Sequence, residues 1–454
     1  MDILVLLSLL IKGLGSIFEI ASQSLISQNW GVEVYGTYAF FIAVSEVVYF
    51  MLFSGIVKFN NYYIPHNQDV SRFKKRLCMG FVLPVSIVGI VTGIVLAKPL
   101  VYCSFSTAML YFFAMNKSST LLSFGYYKAP LIGEYCIGRF FVIAGVLLTL
   151  LVPHKNIIYL YGIYAAQFIV ITIYLNFILR KKTFPLLSIP LEKCAIKKYA
   201  IFQVNEIANM IIMQSTVIIQ YMFGGAFQAA IVSIILVIRK IINFITGPTS
   251  KLYQPEFSKK YNARDKVSLA KVYAQITRMQ LCFILPLFTF LIVKPDFVLS
   301  IYNDSLTEYV SLVRYTSVVF LFMVAFGPLA NFLCMTNHEK VDTTSNWISI
   351  GVMYAVMIAF KGSPYFVIYG FCTQIITSTI YKLYVFIHFM KCFTMPINIY
   401  LRLLGVLFIT ILMLVTLQIN IFSCIAICTF QFIANFIFAF SRTELIDLLK
   451  KIRK

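Results

Sequence analysis

The chain has 454 residues, 60% of them hydrophobic and only 12% charged. No soluble domain of that length could hide so much apolar surface, so the composition excludes a water-soluble fold and predicts an all-α polytopic membrane protein. The formal net charge of +21 would point to nucleic acid in a soluble chain. Here the basic residues gather in alternate loops, which is the orientation signal of a membrane protein, and no nucleic-acid partner is expected.

Apolar runs long enough to span a bilayer fall near residues 3 to 27, 36 to 58, 77 to 97, 100 to 124, 133 to 152, 157 to 180, 199 to 222, 226 to 247, 274 to 293, 311 to 335, 344 to 361, 364 to 388, 398 to 417 and 420 to 440, fourteen in all. The first holds Lys12 and Glu19 and has no basic leader before it, so it reads as a retained span and not as a cleaved signal. The fourth is interrupted by Asn116, Lys117, Ser118, Ser119 and Thr120. With the N-terminus inside, the cytoplasmic loops carry Arg72, Lys74, Lys75 and Arg76, then Arg180 to Lys198, then Lys251 to Lys271, and finally the basic tail, whereas the outside loops are poor in lysine and arginine. Both termini are therefore expected in the cytoplasm.

The loop from Arg180 to Lys198 carries charge and two prolines and divides six runs from the next six. The expected domains are an N-terminal six-helix lobe (1–180), a cytoplasmic linker (181–198), a C-terminal six-helix lobe (199–390), and two additional helices with the basic tail (391–454). Lys58 with Cys78 to Pro84 is weakly echoed by Lys251 with Cys282 to Pro286, as in parallel transporter repeats. No loop can hold a catalytic domain and no phosphate-cradling G-x-x-x-x-G-K-[ST] occurs, so no enzymatic activity, nucleotide or other cofactor is expected. The ten cysteines lack C-x-x-C spacing and read as free thiols; Cys424 and Cys428 share a helical face but have no histidine or carboxylate beside them, and no metal is expected.

Polar residues inside apolar runs need a partner or a function, because a charge at mid-membrane costs about 2.5–3.5 kcal/mol on insertion scales. Arg239 and Asn243 lie four apart on one helical face, with Lys240 adjacent. Either the two cations reach for lipid headgroups, or the face lines an aqueous cavity that attracts an anion. Lys12 and Glu19, seven apart, share a face that locks the first span to its neighbours or lines a pathway. Glu46, midway along the second run, reads as a hydrogen-bonded carboxyl or a proton-coupling site. Arg139, near Glu134 at the start of the fifth run, reads first as a residue reaching for headgroups. Gln203, Asn205, Glu206 and Asn209 open the seventh run with a polar stripe that either glues helices or faces hydroxyl-rich cargo. Gly89 and Gly93 form a small-x-x-x-small pair for close helix packing.

The segment Trp30-Gly31-Val32-Glu33-Val34-Tyr35-Gly36-Thr37-Tyr38 resembles the G-x-x-x-Y-G-x-Y approach to the second span of polysaccharide flippases, the Wzx-type O-antigen and capsule transporters of the multidrug/oligosaccharidyl-lipid/polysaccharide exporter superfamily. Pro248 to Tyr261, followed by Arg278 and Pro286, is similar to that family's connection between the eighth and ninth spans, and Arg239 falls where a basic residue is common in the eighth. The resemblance covers about residues 10 to 390. It implies two six-helix lobes around a central cavity, in the bacterial inner membrane. It also implies transport of an undecaprenyl-diphosphate-linked oligosaccharide for surface polysaccharide such as lipopolysaccharide, with a polysaccharide polymerase and a chain-length regulator as partners. Arg239, Lys12, Lys240 and Arg139 would then hold the diphosphate, with Asn243 beside Arg239; Asn205, Glu206 and Asn209 would face the glycan, and Glu46, Glu19 or Glu206 would couple transport to an ion. The alternatives are a drug or cation antiporter of the same superfamily, which needs an acidic cavity; a flippase for lipid II or teichoic acid; and a membrane polymerase or ligase, which usually carries the long outside loop missing here.

Overall fold

The computed structural model describes residues 3–64, 68–152, 155–182, 189–190, 195–336, 338–390, 403, 405–408, 410 and 421–439. They form α1 (Ile3–Trp30), α2 (Val32–Leu52), α3 (Gly55–Tyr63), α4 (Ser71–Leu77), α5 (Leu83–Val95), α6 (Pro99–Ser123), α7 (Lys128–Leu131), α8 (Arg139–Leu150), α9 (Ile157–Lys181), α10 (Ala195–Asn262), α11 (Lys266–Val293), α12 (Pro295–Tyr302), α13 (Val310–Ala325), α14 (Leu329–Met335), α15 (Glu339–Ala359), α16 (Phe366–Met390) and α17 (Ile421–Ala439). Wide π turns join α4 to α5 (Cys78–Val82) and α7 to α8 (Ile132–Gly138). The sole β pairing among the described residues sets Gln68–Asp69 beside Ile189–Pro190.

Helix ends follow local chemistry. Asn156 and Asp265 accept from the backbone of Ile158 and Ser268 and cap α9 and α11. Pro99 and Pro295 open α6 and α12, where their missing N–H costs nothing. Gly31, at φ 93°, separates α1 from α2. Within α10 the helical path breaks at Gly225 (φ 85°, ψ 178°), so the predicted runs 199 to 222 and 226 to 247 are two helices meeting at a corner. The positive φ makes this a position that only glycine occupies without strain, although no atom stands near its missing side chain. The side chains of Gln220 and Gln228 hydrogen-bond to each other across it.

Among the described residues, seven helical stretches qualify as spans on length and hydropathy alone. The other runs read from the sequence are helical too, except that most of 398 to 417 lies outside the described residues. On α5 the outward stripe is apolar, from Ile87 and Val88 to a 76%-exposed Val95, while Ser86, Gly89 and Gly93 are buried. A soluble helix has the reverse pattern; this one is built for hydrocarbon. A Cβ on Gly93 would stand 2.5 Å from the Tyr102 nitrogen and one on Gly89 2.4 Å from the Phe105 ring, so the glycine pair lets α5 and α6 touch at backbone distance.

The chain forms two compact units, Leu10–Ile234 and Ile235–Lys454 with Met1–Leu9. The first is centred on Tyr49, Phe53, Phe59, Tyr63 and Phe112, the second on Phe257, Tyr273, Phe332 and Phe386, with a smaller cluster where Cys282 and Leu285 of α11 meet Ala439 of α17. Cysteines 78, 103, 136, 282, 372, 424 and 428 are free thiols.

Candidate functional site

In the Leu10–Ile234 unit the internal charges converge because α1 lies directly on the wide turn before α8. A side chain on Gly15 would stand 2.6 Å from the Tyr135 carbonyl oxygen, so only glycine allows this contact. One turn before Gly15, the Lys12 ammonium sits 5.5 Å from the centre of the Tyr135 ring. One turn after it, Glu19 forms an ion pair of 3.3 Å with Arg139, which lies one turn beyond Tyr135. Arg139 thus does not reach for headgroups as its position near a helix start predicts. A carboxylate inside the unit holds it.

Glu46, Glu134 and Tyr35 complete the cluster. Glu46 accepts from Tyr164 (3.4 Å) and from the Gln214 amide, and the Arg139 charge acts on both Glu46 and Tyr164. Glu134, inside the wide turn, accepts from the Ser118 hydroxyl and feels the charges of Lys12 and Arg139. Tyr35 donates to Gln23 at 3.0 Å and meets Ser233 at 3.1 Å, and no side chain could replace the hydrogen of Gly36, whose Cβ would overlap the Ala226 carbonyl. The G-x-x-x-Y-G-x-Y segment is therefore where α2 clasps α1 and α10. The cluster sets Lys12 and Arg139 against Glu19, Glu46 and Glu134. Its chemistry is that of a half-buried, hydrogen-bonded acid–base network able to store or exchange a proton.

Glu206 lies elsewhere, 2.7 Å from Lys58. Its neighbour Gln203 accepts from the Gly55 nitrogen at 2.7 Å and donates to the Met51 carbonyl at 2.9 Å, satisfying backbone groups freed between α2 and α3. This end of the polar stripe glues helices. The side chains of Asn205 and Asn209 are outside the described ones.

The second unit holds a different arrangement. Arg239 on α10 stacks its guanidinium 4.9 Å from the centre of the Phe371 ring. Its Nε and Nη1 are buried and make no hydrogen bond. Other arginines of this unit do find acceptors: Arg278 donates to the Ala439 carbonyl at 3.0 Å and Arg314 to the Ile292 carbonyl at 2.9 Å. Asn243, one turn on from Arg239, is exposed, and Lys240 is half-buried. A desolvated guanidinium with unused donors has the chemistry of an anion receptor.

A polar seam between α15 and α16 is a feature that the sequence reading misses. Lys382 pairs with Asp342 at 2.7 Å and donates to Asn346 at 3.3 Å, and Gln374 donates to Ser349 at 3.1 Å. Its signal is two interlocking helical spacings, 342/346/349 and 374/378/382, in two neighbouring apolar runs.

No protein-family model matches the chain, and no curated protein matches it in sequence. Solved structures do match. The lipid II flippase MurJ in an inward closed conformation superposes with a TM-score of 0.72 at 14% identity, over 96% of this chain and 98% of that one. A multidrug resistance MATE family transporter of the MOP superfamily, inward-facing, gives 0.63 at 11% identity over 85% and 99%. The MATE multidrug transporter DinF-BH gives 0.60 at 13% identity over 87% and 96%. These neighbours are transporters and flippases, and the chain has their fold, that of an all-α, multi-pass membrane protein.

Proposed function

We propose that this protein is a flippase of the bacterial inner membrane that moves an undecaprenyl-diphosphate-linked oligosaccharide between leaflets, supplying repeat units such as those of O-antigen to a polymerase and chain-length regulator. The observation that carries the reading is Arg239, whose buried Nε and Nη1 have no acceptor. Burying an unpaired guanidinium costs several kcal/mol, and a phosphate oxygen entering the site recovers that cost through charge-assisted hydrogen bonds. Lys240 and Asn243 flank the same anion, and Lys12 and Arg139 add positive charge within the other unit. Asn205, Glu206 and Asn209 are the glycan-facing candidates, and Glu46 or Glu19 couples transport to a cation gradient. Alternating access uses residues 1 to 180 and 199 to 390 as its two lobes, with both termini cytoplasmic.

Two observations favour other cargo. The carboxyl groups of Glu19, Glu46 and Glu134 outnumber the basic groups beside them, which suits an antiporter for organic cations. The fold match to a lipid II flippase suits lipid II as the lipid-linked substrate.

The deciding experiment is translocation of a fluorescent undecaprenyl-diphosphate oligosaccharide in proteoliposomes, wild type against Arg239→Ala at matched reconstitution. Wild-type transport that falls at least about tenfold in the variant is the expected result, the equivalent of about 1.4 kcal/mol. Transport unchanged by the substitution removes the anion site. No wild-type transport of this lipid, together with uptake of organic cations, assigns the protein to the antiporters.

A further inference from the structure

The end of the Leu10–Ile234 unit formed by α4, α6 and α9 is a cationic pocket without a counter-charge on the helices that build it. None of these helices contains an acidic residue; Lys74, Lys117, Arg180 and Lys181 make up the pocket, and Arg72, Lys75 and Arg76 are exposed on α4 outside it. Two of the ammonium groups are half-buried and held by neutral acceptors: Lys74 donates to Thr120 at 2.8 Å, and Lys117 donates to Asn176. The charge of Lys117 acts on Lys74 and that of Arg180 acts on Lys117. Among the described residues neither lysine forms an ion pair.

The pocket is built rather than incidental. Asn116 to Thr120, the polar interruption of the fourth apolar run, is fixed in place by Asn60, buried, which donates to Ser119 at 2.7 Å and to Asn116 at 3.1 Å. The Thr120 hydroxyl also donates to the Asn116 carbonyl at 2.6 Å. Each ammonium has three N–H groups and uses one on its neutral acceptor, leaving the others for a ligand. Repulsion among cations so placed falls when an anion sits between them.

Leading to the pocket along α9 is an exposed apolar track, Ile169, Ile173 and Phe177, each four residues from the last and ending beside Arg180 and Lys181. We propose that this track and pocket bind an anionic membrane lipid, with its phosphate on Lys74, Lys117 and Arg180 and an acyl chain along Ile173 and Phe177. The charge pattern of the loops assigns this end of the unit to the cytoplasmic leaflet, where anionic headgroups gather.

Purified full-length protein in neutral detergent, titrated with phosphatidylglycerol or phosphatidylcholine and read by native mass spectrometry of lipid adducts, tests this without any transport assay. Phosphatidylglycerol should bind preferentially, and Lys74→Gln/Lys117→Gln should weaken it roughly tenfold or more. Lys75→Gln/Arg76→Gln, which removes the same charge from outside the pocket, should leave binding nearly intact. If the double lysine variant fails to fold, Arg180→Gln, at an exposed position, carries the test with an expected loss of severalfold. Equal losses in the two double variants, or no loss in Arg180→Gln, overturn the site. Thermal protection by inorganic phosphate equal to that by phosphatidylglycerol, and unaffected by Ile173→Gln, overturns the lipid assignment in favour of a free phosphate.

Discussion

Arg139 and Arg239 are both arginines in membrane-embedded helices, and their surroundings differ in every respect that matters. Arg139 pairs with Glu19 at 3.3 Å and acts on Glu46 and Tyr164 in a network of hydrogen-bonded groups. Arg239 has a ring on one face and two buried nitrogens without acceptors. A charge paired inside the unit has its desolvation cost offset by its partner, whereas one without an acceptor keeps that cost in the folded state. The two residues look alike in the sequence, and the contrast between a paired and an unpaired guanidinium is what the proposed anion site at Arg239 rests on.

The largest effect expected from breaking the comparison is at Arg139. Arg139→Ala removes the ion-pair partner of Glu19 inside the unit and should destabilise the protein by about 3–5 kcal/mol, measured as a fall in thermal unfolding temperature in detergent; Glu19→Gln/Arg139→Gln should lose much less. Gly15→Ala should cost about 1–3 kcal/mol, because the new methyl pushes α1 off the Tyr135 carbonyl and separates Glu19 from Arg139. The same assay reads it, and a loss that persists in the Glu19→Gln/Arg139→Gln background would show that the contact matters for packing alone. Arg239→Met should go the other way, gaining about 1 kcal/mol of stability while transport of the diphosphate lipid is lost. A destabilised variant would mean that Arg239 is structural after all.

The smallest effect tests a charge away from both sites. Hydrogen bonds from Ser268, from its side chain and its backbone, hold the half-buried Asp265 carboxyl below its ordinary range. A carboxyl depressed in the folded state contributes stability above its ordinary pKa and loses it as pH falls through the depressed one. Asp265→Asn keeps the cap, so the two proteins should differ only in how stability falls in acid, with the variant flatter.

Much of the fold was legible because hydropathy and charge pattern report the solvent directly. Apolar runs mark the spans, lysines mark the loops, and Gly89 with Gly93 marks a close helix contact. The corner at Gly225 was readable as a gap between two runs. Less of the site was legible. Spacing placed Lys12 and Glu19 on one face, but nothing local could show that Gly15 seats that face on Tyr135 and so delivers Glu19 to Arg139. Glu134 stands out little in the sequence because its partner Ser118 lies in another helix, and the seam of Asp342 and Lys382 depends on the pairing of α15 with α16. Sequence periodicity names the face of a helix; which face it meets is a tertiary fact.

The corner at Gly225 has a practical consequence. Nothing stands within 4 Å of where a Gly225 side chain would begin, while α2 packs on Ala226 just beyond it, so a single cysteine carrying a small hapten fits there at the cost of the positive φ, where a longer insertion would part α2 from α10. Antibody access from one face of sealed vesicles would then report the sidedness of the chain at a point in the middle of its length, independent of any inference from where its lysines fall.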